Sequence, residues 1–274
     1  MKSFNFGRVS PAFIIIGTQK GGTSSLHYYL NQHPKLIAPE NKELHYFDNL
    51  KIATKKSYIN KFPKSYFTNK KSFEATPRYL YYPDAAKKIH DFNPNMKFIV
   101  MLRDPAKRAF SAWNMYKQLS KNESVVNNSR VLGKQNEKEQ QYKFFYKNEF
   151  PTFNKCIDFE LSDNFDNSII EPSIVRRGYY KEQIETYLQF FNLDSFMFID
   201  FDTFKNDTIN CLNKISNFLS ISSFNDLKIS LEPQNKRDYN DVFDEELYLE
   251  LKKHYQTKNK GLESLVGFEL KWMR

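Results

Sequence analysis

Cysteine is scarce: the 274-residue chain has two, Cys156 and Cys211, far apart and in no metal-ligand spacing. That excludes a disulfide framework and a cysteine-based zinc site, and no metal is expected. Long apolar runs are missing too. The strongest, Ala12 to Ile16, is too short to cross a bilayer, and Met1 to Pro11 lacks the apolar stretch of a signal peptide. The expectation is a reduced, cytoplasmic protein with no membrane span. No internal repeat is present. Nor is there a known reader motif, or a basic stretch interleaved with aromatics, so nucleic acid is not an expected partner.

Aromatic carbon and positive charge are abundant. With 26 Phe and 17 Tyr, aromatics reach 16% of the chain, which points to a core built largely of rings. Hydrophobic residues at 40% and charged residues at 27% support a sizeable core rather than disorder. The formal charge is +9 and the sequence pI about 9.2, a surplus that attracts anions such as nucleotide phosphates or acidic sugars. A compositional bias toward Lys, Asn, Ile, Phe and Tyr accounts for most of that surplus, so charge alone selects no function.

Along the chain, strands alternate with helices. Phe13–Ile16 reads as a buried strand ended by Gly17, and Thr23–Gln32 as a helix with Leu26, Tyr29 and Leu30 on one face, closed by Pro34. Ser72–Ala75 and Lys97–Leu102 read as strands. Asp104 then reads as an N-cap and Pro105 as the first residue of a helix to about Leu119. Residues 120–150 turn polar and read as an insertion or lid. Regularity returns with a helical face at Tyr180, Ile184, Tyr187, Leu188 and Phe191, and a fourth strand at Phe196–Ile199. A helix carrying Ile209 to Leu219 follows, and a final helix spans about Asp244 to Tyr255. This order predicts one α/β domain over 1–274, with a central, mainly parallel sheet flanked by helices.

Gly17-Thr18-Gln19-Lys20-Gly21-Gly22-Thr23-Ser24-Ser25 links the first strand to the first helix. A loop in that place presents several backbone N–H groups to one point, aided by the helix dipole. Gly21 and Gly22 allow close approach of a phosphate, Thr23, Ser24 and Ser25 add hydroxyls, and Lys20 adds a cation. A nucleoside-triphosphate loop, G-x-x-x-x-G-K-[ST], is the rival, but Thr23 stands where its lysine belongs. A glycine-rich turn without a ligand is the plainer alternative. Arg103 ends its strand, where open α/β sheets bind ligands, and Ser111 lies about two turns along the next helix. An arginine fork with a hydroxyl suits a phosphate monoester, although an isolated Arg103 would serve equally as a partner for Asp104.

Together the motifs are more specific. Thr18 to Leu26 resembles the 5′-phosphosulfate loop of the sulfotransferase family. Leu102-Arg103-Asp104-Pro105, continuing to Arg108 and Ser111, resembles its 3′-phosphate motif. The likeness is closest to heparan-sulfate-modifying sulfotransferases and their bacterial relatives. It extends through Glu43-Leu44-His45-Tyr46-Phe47-Asp48 and Phe73-Glu74-Ala75-Thr76-Pro77, and more weakly through Arg177-Gly178 and Asn259-Lys260-Gly261.

The resemblance implies 3′-phosphoadenosine 5′-phosphosulfate (PAPS) as sulfuryl donor, with no metal required. Thr18 and the backbone of Gly21 to Ser24 would hold the 5′-phosphate, and Lys20 would contact the phosphosulfate. Arg103 and Ser111 would hold the 3′-phosphate, and Lys236 and Arg237 would form a basic loop over the donor. Glu43 would take the acceptor's proton and His45 would position it, with His45 as the alternative base. Apolar neighbours Leu44, Tyr46 and Phe47 are expected to raise Glu43 toward neutrality if they bury it. Without the resemblance, Glu43 reads first as an exposed loop carboxylate and His45 as a structural histidine. Ala75 stands where the heparan-sulfate enzymes often carry a lysine, with Arg78 as a partial substitute near the acceptor. That departure points away from a heparan-like polyanion and toward another carbohydrate or hydroxyl-bearing acceptor. A nucleotide kinase, and a catalytically silent carbohydrate-binding relative, are the competing readings. The oligomeric state is not legible.

Overall fold

The structure is a computed structural model that describes residues 10–48, 54–64, 70–122, 140–146, 148–162, 165, 172–234, 239 and 241–274. The chain forms two compact units. The first comprises Met1–Arg103 and Gln183–Arg237, the second Asp104–Glu182 and Asp238–Arg274.

The first unit carries a five-stranded sheet, β1 (Pro11–Gly17), β2 (Leu36–Ile37), β3 (Lys71–Ala75), β4 (Lys97–Leu102) and β5 (Phe196–Asp200), in the order β2-β3-β1-β4-β5. Every adjacent pair is parallel. The expected α/β architecture is therefore present. Parallel strands need cover on both faces, which is why β1 and β4 are continuous apolar runs rather than alternating ones. Phe13, Ile15, Phe73, Ala75, Ile99, Met101 and Ile199 share one face by the two-residue period of a strand. They pack on α1 (Thr23–Asn31), α8 (Phe201–Asn206) and α9 (Thr208–Leu219). On the opposite face Phe98 meets Tyr187 and Phe191 at 5.4 and 4.7 Å between ring centroids. The short helices α2 (Lys55–Ile59) and α3 (Ala85–Phe92) also belong to this unit.

Phe196–Ile199 proves to be part of the fifth strand rather than the fourth, because Leu36–Ile37 adds a two-residue edge strand to β3. So short a segment carries no readable period.

The second unit is built around α4 (Pro105–Leu119), α5 (Gln140–Tyr146), α6 (Phe153–Leu161) and α10 (Glu245–Lys258), with α11 (Leu262–Val266) beyond the last helix expected. Helix α7 (Tyr180–Leu188) contains Gln183, where the chain re-enters the first unit. The Asp104 carboxylate accepts from the N–H groups of Ala106 and Lys107 at 2.9 and 3.2 Å, with Pro105 at the first helical position. The polar stretch 120–150 contains α5, while 123–139 and 147 lie outside the described residues.

Candidate active site

The chain runs from β1 to β2 and β3 on one side of β1, and on to β4 and β5 on the other. The carboxyl ends of β1 and β4 thus meet at the point where strand order reverses, the usual ligand crevice of such sheets. The loop after β1 is there. Thr18 N–H donates to the Met101 carbonyl at 3.1 Å, and Gly21 N–H to the Thr18 carbonyl at 2.9 Å. Gly22 N-caps α1 in the left-handed region, φ 88°. A Cβ there would also lie 2.9 Å from the Phe201 ring, so this position requires glycine on two counts. No acidic residue stands in the first turn of α1. Thr23 is buried in that turn, and Ser24 follows it. The Ser25 hydroxyl accepts from Gln234 N–H at 2.9 Å. A helix N-terminus with Lys20, hydroxyls and no carboxylate in its opening turn is a donor set that fits a phosphosulfate.

Arg103 joins this loop from the end of β4. Its guanidinium donates to the Lys20 carbonyl at 2.8 Å and lies 4.9 Å from the centre of the Phe201 ring. Two motifs 83 residues apart in sequence are thereby linked. Ser111 belongs to the second unit, buried on α4, with its carbonyl accepting from the Tyr239 hydroxyl at 3.3 Å. Lys236 and Arg237 lie outside the described residues.

Among the described residues, four non-glycines have positive φ: Lys20 (66°), Glu43 (66°), His45 (51°) and Ser220 (52°). Ser220 is an ordinary left-handed helix cap. The other three are the residues read from the sequence as the catalytic set, and left-handed backbone at non-glycine residues gathers at functional sites. His45 stands between two carboxylates, with Nδ1 2.8 Å from Asp48 Oδ2 and Nε2 3.4 Å from Glu43 Oε2. Lys42 Nζ lies 2.9 Å from Glu43 Oε1.

Burial opposes the charge on His45, but its bonds to Asp48 and Glu43 outweigh burial and raise the imidazole to about 9. Burial likewise favours a neutral Glu43, yet the hydrogen bond from His45 and the charge of Lys42 hold it at about 2. The expected rise toward neutrality is overturned. Glu43 faces two cations and stays 40% exposed, so its apolar neighbours do not set its charge. At neutral pH Glu43 is an anion and His45 a cation.

A family model described as the sulfotransferase domain matches residues 10–263. The chain belongs to the sulfotransferase family.

Among relatives of this sulfotransferase-family chain is the membrane-associated sulfotransferase kil1 of Dictyostelium discoideum. It is 25% identical over 315 residues, covering 96% of this chain and 66% of that protein. Heparan sulfate glucosamine 3-O-sulfotransferase 5 of Mus musculus is 27% identical over 213 residues, covering 77% of this chain and 54% of that protein. The chain thus spans between about half and two thirds of the length of these relatives. A crystal structure of a sulfotransferase from Alicyclobacillus acidocaldarius shares the fold, with TM-score 0.67, 24% identity and 97% and 100% of the two chains covered. The sulfotransferase class implied by the two phosphate motifs is that of the family.

Sequence reasoning gave no role to Asp48 of the sulfotransferase chain. This aspartate is fully buried and bridges His45 to Arg78, whose Nε lies 2.9 Å from Asp48 Oδ2 and whose Nη2 donates to the Asp48 carbonyl at 3.0 Å. Arg78, read as an acceptor cation, is thus engaged with Asp48. The missed signal is an acid closing the aromatic run Tyr46-Phe47-Asp48, since a carboxylate carried inward by rings needs a cation. Among the described residues no cluster of metal-ligating side chains is present, and no helix is long and apolar enough to cross a membrane.

Proposed function

We propose that this family member moves a sulfuryl group from PAPS to a hydroxyl or amine of a carbohydrate acceptor by in-line displacement. The observation that carries the reading is the bond from Arg103 to the Lys20 carbonyl, which makes one anion-binding corner of two separate phosphate motifs. The β1–α1 loop binds the 5′-phosphosulfate. Arg103 binds the 3′-phosphate that distinguishes this donor from ATP. Lys20 offsets charge gathering on the departing phosphate. The acceptor's lone pair forms a new S–O bond, or S–N for an amine, as the S–O bond to the 5′-phosphate breaks. The bonding electrons leave with adenosine 3′,5′-bisphosphate, and the acceptor's proton passes to Glu43.

The charge states support Glu43 over His45 as that base. An anionic carboxylate has a lone pair to offer, whereas an imidazolium has none and serves to orient Glu43. A carbohydrate acceptor is supported by the heparan sulfate named in the mouse relative. Ala75 in place of a lysine favours a less anionic sugar than heparan.

Calorimetric titration with adenosine 3′,5′-bisphosphate in EDTA tests the donor site, with ATP plus Mg²⁺ as comparison. Metal-independent binding that falls at least about tenfold in Lys20→Ala and Arg103→Ala is the expected result, each loss corresponding to about 1.4 kcal/mol or more. Binding of ATP with Mg²⁺ alone would replace this reading with a phosphotransferase. Product binding without transfer of labelled sulfate to any sugar in an acceptor panel would favour a silent relative.

A further inference from the structure

Beneath the Glu43–Asp48 loop lies a second carboxylate that the chemistry above does not use. Glu74 occupies β3 between Phe73 and Ala75, so its side chain takes the other face of the sheet, where it is 1% exposed. It makes no ion pair among the described residues. Its partners are three hydroxyls: Tyr58 in a short bond to Oε1, Tyr79 at 3.3 Å from Oε1, and Thr76 at 2.9 Å from Oε2.

The Tyr79 hydroxyl has a second set of neighbours. It accepts from the backbone N–H of Tyr46 at 2.9 Å and of Phe47 at 3.4 Å. A phenol has one proton, and both N–H groups are donors, so that proton points to Glu74. Tyr58 reaches the same loop by stacking on Tyr46, with centroids 4.2 Å apart and planes within 10°. Glu74 is therefore two hydrogen bonds from the backbone that joins His45 to Asp48.

We propose that Glu74 is a positioning residue for the Glu43–His45–Asp48 constellation, acting through Tyr79. Backbone held at positive φ at Glu43 and His45 persists only when the surroundings fix it, and the Tyr79 hydroxyl fixes the two peptide groups that follow His45. The groups facing Glu74 are Tyr58 from α2, Thr76 and Tyr79 from the turn after β3, and the charge of Asp48, itself paired with Arg78. Burial raises Glu74 to about 7, with the hydroxyls opposing and Asp48 adding to the rise. As pH rises through that value the carboxylate gains charge and draws the Tyr79 proton more firmly, since charge-assisted bonds are the stronger ones. The loop is thus tied tightest above neutrality. The catalytic meaning of this anchor rests on the proposed role of Glu43, but the anchor itself is testable without an acceptor.

The test is NMR titration of the His45 imidazole in the full chain from about pH 5 to about pH 10. Variants are Glu74→Gln, Tyr79→Phe and, as control, Tyr255→Phe, which loses a buried hydroxyl bonded to the Val175 carbonyl in the second unit. In the native chain the His45 signal should inflect near 9, with a smaller inflection near 7 from Glu74. Isosteric Glu74→Gln should remove the lower inflection. Tyr79→Phe should lower the His45 pKa by about one unit, a tenfold loss of proton affinity, as the loop loosens. Tyr255→Phe should leave both unchanged. An unmoved His45 in Tyr79→Phe, an equal movement in Tyr255→Phe, or a lower inflection surviving in Glu74→Gln would each overturn the anchor. Adenosine 3′,5′-bisphosphate binding measured alongside separates the two readings. Failure to bind the native chain defeats the donor assignment and leaves the anchor standing, whereas equal binding in all variants with a static His45 defeats the anchor alone.

Discussion

At the scale of single residues, the protonation states organise the site. His45 has its folded pKa raised above 6.5, so its proton is held until the pH climbs through about 9. Glu43 has its folded pKa lowered, so its charge is kept until the pH falls through about 2. Any stability from these shifts is correspondingly present below 6.5 for His45 and above 4.5 for Glu43. With side chains 37% and 40% exposed, solvent screens most of that energy, and turnover is the better readout. With Glu43 as the proposed base, sulfuryl transfer should decline as pH passes about 9, when His45 loses the charge that orients Glu43. Replacing Glu43 by Gln should cut turnover by roughly 10²–10⁴-fold while leaving adenosine 3′,5′-bisphosphate binding intact. Retained turnover in Glu43→Gln, with loss in His45→Ala, would make His45 the base. The sequence named both residues but assigned Glu43 an environment of apolar neighbours. Its left-handed backbone instead leaves the carboxylate to Lys42 and His45.

At the scale of elements, local signals gave strands and caps closely, and contacts between elements explain the weaker motifs. Lys97–Leu102 and the helix opening at Pro105 lie where period and capping place them. Arg177-Gly178 and Asn259 are linked in the second unit, where Asn259 Nδ2 donates to the Gly178 carbonyl at 2.9 Å. A Cβ on Gly178 would lie 2.5 Å from the Tyr255 ring and 2.8 Å from Pro105, so Gly178→Ala should cost about 1–3 kcal/mol by overpacking. Glu160 of α6 accepts from the N–H groups of Ile174, Val175 and Arg176 and from the Ser173 hydroxyl at 2.6–2.8 Å. Glu160→Ala strands these buried donors at about 1–3 kcal/mol each, which should make it the more damaging change in thermal unfolding. Neither cost was legible along the chain, because each depends on atoms from a distant segment.

At the scale of the whole molecule, the all-parallel sheet brings the β1 loop and Arg103 to one end of adjacent strands, and its face buries Glu74. That burial has a global signature. A carboxyl whose folded pKa is raised to about 7 binds a proton more tightly folded than unfolded. Its contribution is complete below about 4.5 and is lost as pH rises through about 7. The native chain should therefore lose stability relative to Glu74→Gln between those values, on the order of 3 kcal/mol for such a shift. Denaturant unfolding of both chains at several pH values checks the slope; parallel curves would show that Glu74 is ionised when buried. The sequence by itself determined the α/β alternation, the glycine-rich loop between β1 and α1 and the sulfotransferase family, because strand period, helix caps and glycine placement act over a few residues. Tertiary structure alone decided which charges meet. The Lys20 carbonyl finds Arg103, Asp48 finds Arg78, and the Tyr79 hydroxyl holds the loop of Glu43 and His45 from 33 residues beyond Tyr46. A carboxylate's proton affinity is set by the atoms within a few ångströms of it, and chain folding is what brings those atoms there.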